Sequence, residues 1–299
     1  MSQMILDEKD YNLSVRDGML LCDHPQKGHK SLPWGALTQI LIGRQVKLSS
    51  DVLLALAEHE IPVIFIDGKG QHPACLVGLR PPASDIRLRQ YRVCDHVEVR
   101  DKLCRKLVSI KAQQQQWALQ QLGLGLPTGW DKQVSVLEES ENLMLQEARL
   151  SHLYWQQWSL KFGPFGFRGR NRRPPKDPLN ALLSLASVME DGLHCKALLA
   201  EGLDISLSVH HAVGYRRQSL ICDTKELTRA WVEVWVAKLF LSAIMSAELF
   251  SVSEAGCRLT PAGQIIFYPA WHQFAASHEV RVKRIARIVR RTIAREASL

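Results

Sequence analysis

Apolar positions and turn residues at the start of the chain follow the spacing of short strands. Residues 11–22 contain two β-rich runs joined by an Asp-Gly pair, which is typical of a tight hairpin turn. Two further β-rich runs occupy 36–43 and 63–67. Between them, 49–59 opens with Ser-Ser-Asp and continues with apolar residues at helical spacing, which predicts a short capped helix. The pattern therefore predicts a small β-strand domain over 1–82.

Helical spacing dominates the rest of the chain. Pro81 and Pro82 end the last β-rich run. Beyond them, apolar residues recur at helical intervals over 86–122, 134–160, 178–200, 227–250 and 279–296. The third of these helices is predicted to begin at Pro178, with Asp177 as its capping residue. We therefore expect an α+β protein in which the small N-terminal domain precedes a larger, all-helical catalytic domain over 83–299.

One carboxylate lies where helical spacing calls for an apolar side chain. Glu147 falls four residues after Leu143 and three before Leu150. The apolar stripe of this predicted helix consists of Leu143, Leu150, Tyr154 and Trp158. A carboxylate directed at a core is costly unless a cation or several donors compensate it. Glu147 is therefore the first candidate for chemistry.

A second group of polar side chains follows an apolar run. Asp223 and Glu226 are three residues apart, which places both on one face of a helical turn. His210 and His211 precede them in the sequence. Carboxylates with one imidazole and no thiolate suit Mg²⁺ or Mn²⁺, whereas a single nitrogen ligand is few for zinc. The spacing thus indicates a possible divalent-metal site.

Structural interpretations of the same residues remain open at this point. Glu147 could pair with a basic side chain, as most buried carboxylates do. Asp223 could be the N-cap of a helix that begins near Lys225. One of His210 and His211 is expected to be structural, because alternate side chains of an extended segment face opposite ways.

Composition and charge narrow the class of protein. The apolar fraction of 46% in 299 residues is ample for packed cores, and the net charge of +8 favours nucleic acid or another anionic partner. The seven cysteines show no CxxC spacing, so neither a zinc cage nor a disulfide framework is indicated. The N-terminus turns acidic before a signal peptide could form, and charges interrupt the most apolar segment, 230–247. We expect a soluble cytoplasmic protein with no membrane contact.

Basic residues concentrate in two places. The first, 161–176, has no acidic residue, and its basic residues are Lys161, Arg168, Arg170, Arg172, Arg173 and Lys176. Three glycines predict a flexible loop, and its three phenylalanines could stack on bases or anchor the loop to the core. Six like charges repel one another without an anionic partner, which disfavours an idle surface loop.

The second basic region is the last predicted helix. Its apolar side consists of Val282, Ile285, Val289 and Ile293. Its other faces carry Arg281, Lys283, Arg284, Arg287, Arg290, Arg291 and Arg295. The helix could pack on the domain and track phosphates, or it could bind an acidic partner protein.

Three segments, in order, resemble the CRISPR adaptation integrase family, the Cas-one endonuclease/integrase. Glu147 with Tyr154 and Trp155 is similar to the family's Glu-Gly-x-x-Ala-x-x-Tyr-Phe helix, although Ala148 replaces the usual Gly. The run 172–184 is similar to Arg-x-Pro-Pro-x-Asp-Pro-x-Asn-Ala-Leu-Leu-Ser, the most specific of the three. The segment 202–229 resembles Gly-Leu-Asp-Pro…His…Gly-Arg-x-Ser-Leu-x-x-Asp-Leu-x-Glu-x-x-Arg, with Ile205 at the usual Pro.

The resemblance implies a site and an assembly. Its spacing matches when His211 is the family histidine, so Glu147, His211 and Glu226 would bind Mn²⁺ or Mg²⁺, with Asp223 as an accessory catalytic carboxylate. Family members are homodimers, and two dimers flank a dimer of the small Cas-two protein on DNA. The candidates for phosphate contact are Arg168, Arg170, Arg172, Arg173 and Arg217.

The implied reaction is transesterification, in which the 3′-hydroxyl of captured double-stranded DNA attacks a phosphodiester of the CRISPR repeat. Such chemistry needs a cation and strict alignment more than covalent help from the protein. Two alternatives stay open. One is a stand-alone metal-dependent DNase or branched-DNA repair nuclease that uses water as the nucleophile. The other is a catalytically silent DNA-binding scaffold.

Overall fold

The structure is a computed structural model that describes residues 2–43, 45–65, 74–76, 84–137, 139–211 and 218–297. Among its described residues, the N-terminal part contains two sheets, one α-helix and a short 3-10 helix at Trp34–Ala36. The elements are β1 (Ser2–Leu6), β2 (Asn12–Arg16), β3 (Met19–His24), β4 (Gly28–Pro33), β5 (Leu37–Ile42), β6 (Lys47–Leu48), α1 (Ser50–Glu58), β7 (Val63–Phe65) and β8 (Ala74–Leu76). One sheet has the strand order β1-β5-β7-β8 and the other β4-β3-β2-β6.

Local sequence signals explain these elements. The predicted hairpin is confirmed, since β2 pairs antiparallel with β3 and both turn residues, Asp17 and Gly18, have positive φ angles of 51° and 71°. Positive φ at both positions is what the favoured two-residue hairpin turn requires. The predicted cap of α1 is also confirmed, because Ser49 accepts a hydrogen bond from the backbone N–H of Val52 at 3.4 Å. This domain has its own buried core, which includes Leu13, Leu20, Ile40, Val52 and Leu56.

The remaining chain is mainly helical. Its elements are α2 (Ser84–Asp95), α3 (Val97–Gln121), α4 (Trp130–Ser135), α5 (Leu143–Phe162), α6 (Pro178–Ala200), α7 (Ser219–Glu226), α8 (Arg229–Leu241), β9 (Phe250–Ser253), β10 (Gly256–Leu259) and α9 (Pro261–Glu296). The α+β class is confirmed. The antiparallel β9–β10 hairpin adds two strands to a part expected to be all helical. The predicted boundary at 82 and 83 lies outside the described residues.

Helix ends differ from expectation where capping chemistry intervenes. The helix expected over 86–122 is two helices, because the side chain of His96 caps α3 at the backbone N–H of Val99. The last helix starts at Pro261, far ahead of the expected residue 279, and it continues through Pro269. Asp177 caps α6 as predicted, accepting from the backbone N–H of Asn180 at 2.8 Å. Across the described part of the chain, no helix is both long and apolar enough to cross a membrane.

Helix α6 is the central element and contacts the β domain directly. At Gly192, an added Cβ would overlap Oε1 of Gln39 and would lie 2.6 Å from Cδ1 of Ile64. Gln39 is fully buried and donates from Nε2 to the carbonyl of Met189 at 3.1 Å. Since these neighbours are closely packed, the contact between α6 and the β domain leaves no room for a side chain at Gly192.

A buried hydrogen-bond chain joins α6 to α9 and to the residue before α8. His194 Nε2 lies 3.0 Å from Thr228 Oγ1, and that hydroxyl donates to Glu190 Oε1 at 2.7 Å. His278 Nε2 contacts the same oxygen at 2.8 Å. Arg281, which can only donate, lies 3.2 Å from Nδ1 of His278. These hydrogen bonds fix the side chain of Thr228, which lies between the end of α7 and the start of α8.

We predict that Gly192→Ala lowers the free energy of unfolding by about 1–3 kcal/mol, the usual cost of overpacking a core. Denaturant unfolding measures it. Gly125→Ala is the control, because a Cβ there meets no atom within 4 Å, and we expect it to change stability by less than about 0.5 kcal/mol. Equal stability of the two variants would show that α6 does not pack on the sheet in this way.

The burial of His194 in this hydrogen-bond chain predicts that the folded protein loses stability in mild acid. Burial lowers the pKa of His194 below its usual 6.5, so the unfolded chain takes up a proton there as the pH falls while the folded protein does not. The free energy of unfolding should therefore fall with pH below 6.5, by up to about 1.4 kcal/mol per pH unit for this one proton. In His194→Gln, we expect a flatter profile between about pH 6.5 and 5.

The exposed His152 supplies the matched control. His152→Gln should keep the slope of the unsubstituted protein between about pH 6.5 and 5. Parallel profiles for His194→Gln and His152→Gln would contradict a neutral, buried His194. Burial would raise the pKa of Glu190, but its hydrogen bonds to His194 and His278 outweigh burial and lower that pKa. A second loss of stability therefore begins as the pH falls through the ordinary range of a glutamate.

Candidate functional site

Four segments of the helical part bring charged side chains together. Helix α3 contributes Lys111, α5 contributes Glu147, and α7 contributes Asp223 and Glu226. The segment Val209–His211 lies beside them. In the buried stripe of α5, Leu150, Tyr154 and Trp158 point into the core as predicted. Glu147 occupies the same side of the helix one turn nearer its start, which directs its carboxylate toward the neighbouring helices.

Glu147 has a cation on each carboxylate oxygen. Nζ of Lys111 donates to Oε1 at 2.6 Å, and Nε2 of His210 lies 2.8 Å from Oε2. Burial alone would raise the pKa of Glu147, but the hydrogen bond from His210 and the charge of Lys111 outweigh it and lower the pKa to about 2. Glu147 therefore does pair with a basic side chain, which was one of the open interpretations.

Glu226 shares the same lysine. Its Oε2 lies 2.9 Å from Nζ of Lys111, and its Oε1 accepts from Nη1 of Arg229 at 2.7 Å. The charges of Arg229 and Lys111 hold the pKa of Glu226 well below its usual range despite burial. Arg229 also contacts Glu233 at 3.0 Å. Two predicted ligands, from α5 and α7, thus converge on a single cation.

Asp223 organises the segment that carries the histidines. Its Oδ2 accepts from the backbone N–H groups of Val209 and His210 at 3.0 and 3.1 Å, and its Oδ1 accepts from that of His211 at 3.1 Å. Asp223 lies inside α7 and not before its first turn, so the interpretation as an N-cap is wrong. Asp223 is 2% exposed, and both of its carboxylate oxygens accept these hydrogen bonds. Its accessory catalytic role stays a prediction.

The two histidines face different carboxylates. His210 contacts Glu147, whereas Nδ1 of His211 lies 2.7 Å from Oδ1 of Asp223. Their ring centroids are 5.1 Å apart with an interplanar angle of 82°. Hydrogen bonds with Cys104 and Glu147 raise the pKa of His210 to about 10. His211, the predicted ligand, lies close enough to Glu226 for its charge to lower the pKa of that carboxyl.

Among the described residues, no group of three or more His, Cys, Asp or Glu side chains surrounds one position suited to a metal ion. The pair Glu147 and Glu226 nevertheless faces a common cation, His210 contacts Glu147, and His211 lies close enough to Glu226 to affect its pKa. These donors are hard oxygens and imidazole nitrogens, which fit Mg²⁺ or Mn²⁺. The assignment of Glu147, His211 and Glu226 as ligands stays a prediction.

Sequence reasoning overlooked Lys111 as a member of the site. Lys111 lies on the buried stripe of α3 with Leu107, Val108 and Ala112, and it is 8% exposed. The rule that singled out Glu147, a charge on an apolar stripe, would also have found Lys111.

The basic loop after α5 is ordered by its own side chains. Phe162 and Phe167 are fully buried, so the phenylalanines anchor the loop to the core. Arg170 points inward and donates to Oδ1 of Asn180 at 2.9 Å and to Oγ of Ser184 at 3.1 Å. Burial lowers its pKa to about 9. Arg170 therefore supports the loop from within. The phosphate contact predicted for it stays a prediction.

The other candidate arginines differ in position. Arg168, Arg172 and Arg173 are exposed. The nearby charge of Arg229 lowers the pKa of Arg172, which places Arg172 beside the carboxylate cluster. Arg217 lies outside the described residues. In the last helix, Val282 and Ile293 are buried while the arginines at 284, 287, 290, 291 and 295 are exposed, so the helix packs on the domain with its basic side outward.

Comparison with known proteins places this geometry in a family. The model of the family described as CRISPR associated protein Cas1 matches residues 4–273. A relative named CRISPR-associated endonuclease Cas1 1, from Thermodesulfovibrio yellowstonii, is 27% identical over 292 residues, covering 92% of this chain and 91% of the relative.

Two solved structures share the fold. A casposase bound to integration product has a TM-score of 0.87 at 19% identity, covering 100% of this chain and 91% of that chain. A chain of a Cas6-RT-Cas1–Cas2 complex has a TM-score of 0.81 at 18% identity, covering 99% of this chain and 35% of that chain. Since the family model spans most of the sequence, from the β domain to α9, the chain belongs to the Cas1 family.

Proposed function

We propose that this chain is a divalent-metal-dependent DNA integrase/endonuclease of CRISPR spacer acquisition. It would join the 3′-hydroxyl ends of captured double-stranded DNA to the CRISPR repeat by transesterification. The observation that carries the proposal is the convergence of Glu147 and Glu226, from α5 and α7, on one cation position bordered by basic side chains. The relatives' names, which include endonucleases and a casposase with an integration product, support this class of chemistry.

Glu147 and Glu226 would hold Mn²⁺ or Mg²⁺, with His211 as the nitrogen ligand. A bound divalent ion would lower the pKa of the attacking hydroxyl and neutralise charge on the phosphate oxygens. Asp223 would keep the histidines in place, because it ties three consecutive backbone N–H groups. Arg229 would hold Glu226 in its orientation through the 2.7 Å contact to Oε1.

The proposed step exchanges one phosphodiester for another. The 3′-oxygen of the captured DNA forms a bond to phosphorus, and the bond from that phosphorus to the 3′-oxygen of the repeat strand breaks. The attacking hydroxyl loses its proton, and the leaving 3′-oxygen gains one. No net oxidation or reduction occurs, so alignment and charge neutralisation are the protein's contribution.

Phosphate contact is assigned to the exposed arginines of the loop. Arg168, Arg172 and Arg173 project from the segment between α5 and α6, and Arg172 lies close to Glu226 and Arg229. Arg217 is proposed for the same task. The partners proposed are DNA, a second copy of this chain and a small Cas2-type dimer, supported by the Cas1–Cas2 complex among the structures that share the fold.

Glu147→Gln should reduce joining of a labelled linear duplex to a supercoiled repeat plasmid by more than about 100-fold in Mn²⁺ or Mg²⁺. Loss of even an outer partner of a metal ligand costs about 10–100-fold, and a ligand should cost more. Glu139→Gln, at an exposed glutamate, should retain activity.

The assay should run with and without the small partner protein. Full joining activity in the Glu147→Gln variant would show that Glu147 takes no part in the reaction. Cut but unjoined products from the unsubstituted protein under both conditions would favour the nuclease alternative, and a mobility shift without either product would favour the scaffold.

Arg173→Ala should weaken duplex binding and reduce the slope of log affinity against log salt by about 1, as expected for one lost phosphate contact. Titration of a fluorescent duplex at several salt concentrations measures both. Arg16→Ala is the control, since Arg16 is exposed on the β2–β3 hairpin, far along the chain from the loop. Identical salt slopes for the two variants would argue against a phosphate contact at Arg173.

A further inference from the structure

Lys111 occupies an unusual place for a lysine. It lies in the middle of α3, with its side chain 10% exposed, between carboxylates from two other helices. Its ammonium is 2.6 Å from Oε1 of Glu147 and 2.9 Å from Oε2 of Glu226. Lysine is seldom buried without a charged partner, and here it has two.

The remaining oxygen of each carboxylate is already engaged. Oε2 of Glu147 faces His210 at 2.8 Å, and Oε1 of Glu226 accepts from Arg229 at 2.7 Å. The oxygens that the two carboxylates turn toward each other are therefore those on Lys111. An ion shared by Glu147 and Glu226 would approach these same oxygens, at about 2.0–2.1 Å for Mg²⁺. That position overlaps the volume of the ammonium.

The neighbourhood also offers the displaced ammonium an acceptor. Gln114, three residues after Lys111 on α3, donates from Nε2 to the carbonyl of Leu227 at 2.6 Å. Its Oε1 is buried and has no hydrogen-bond partner among the described residues. Residues three apart on a helix share a face, so this oxygen lies on the side of α3 that carries Lys111. An unpartnered buried acceptor is costly, and an arriving ammonium would satisfy it.

We propose that Lys111 is a built-in counter-cation that holds Glu147 and Glu226 in place without metal, and that a divalent ion must displace it to bind. Lys111 thereby sets the metal affinity of the site. This rests on the proposed function, in that Glu147 and Glu226 are taken as the ligands. Before the ion arrives, the ammonium offsets the repulsion between the two carboxylates. Because the ion must displace this ammonium, metal binding is weaker than it would be without Lys111.

The test is direct Mn²⁺ binding, followed by the electron paramagnetic resonance signal of the free ion. Lys111→Met keeps an unbranched side chain and removes the charge, so it should bind Mn²⁺ at least about ten-fold more tightly than the unsubstituted protein, or about 1.4 kcal/mol. Lys106→Met, at an exposed lysine of the same helix, should bind Mn²⁺ like the unsubstituted protein. Unchanged or weaker Mn²⁺ binding by Lys111→Met would overturn the proposal.

Thermal unfolding covers a variant that is too unstable to titrate. Lys111→Gln keeps a hydrogen-bond donor between the carboxylates, and its Tm should rise more on Mn²⁺ addition than that of the unsubstituted protein. An equal or smaller rise would contradict displacement. Glu147→Gln separates the two proposals. If Glu147→Gln binds Mn²⁺ as the unsubstituted protein does, the ligand assignment fails; if it loses binding while Lys111→Met gains none, the counter-cation role alone fails.

Discussion

A single cation, the ammonium of Lys111, lies between the half-buried carboxylate of Glu147 and the buried carboxylate of Glu226. Glu147 and Glu226 come from different helices, and without Lys111 their like charges would oppose the packing that brings them together. Their pKa values stay low in spite of burial because cations touch both. The site is therefore stable as a charged cluster in a core, where water can do little to screen it.

The surrounding structure holds that cluster in register. Asp223 accepts hydrogen bonds from the backbone of the histidine segment. The hydroxyl of Thr228 donates to Glu190, which also contacts His278 of α9, so this hydrogen-bond chain fixes Thr228. Arg229, the first residue of α8, contacts Glu226 at the end of α7 and Glu233 one turn further along α8. Asp223, Thr228 and Arg229 all lie within three residues of Glu226 in the sequence. Buried polar groups thus orient the residues of the site through specific hydrogen bonds, which an apolar core of equal volume would not provide.

Much of the fold was predictable because its signals are local. The Asp17–Gly18 turn, the Ser49 cap and the Asp177 cap each depend on a few neighbouring residues, and all are present. Glu147 was identified for the same reason, since helical spacing alone set it apart. The full length of α9 was not predictable in this way, because Pro269 suggests a break that the packed helix tolerates.

What could not be predicted depends on contacts between distant segments. Spacing places His210 and His211 on opposite sides, but it does not say which of them faces Glu147. The inward turn of Arg170 requires Asn180 and Ser184, ten and fourteen residues away. Lys111 is a different case, because its position on the buried stripe of α3 was visible in the sequence, and only its two partners were not.

Anomalous diffraction at the manganese edge, from crystals of the full chain grown with Mn²⁺, would show directly whether Glu147 and Glu226 hold a divalent ion. We expect a peak within about 2.3 Å of a carboxylate oxygen of each residue, a distance suited to a hard cation with oxygen ligands. Nζ of Lys111 should have moved away from both carboxylates. A fully occupied manganese peak elsewhere in the helical domain, with Lys111 still between the two carboxylates, would contradict this expectation.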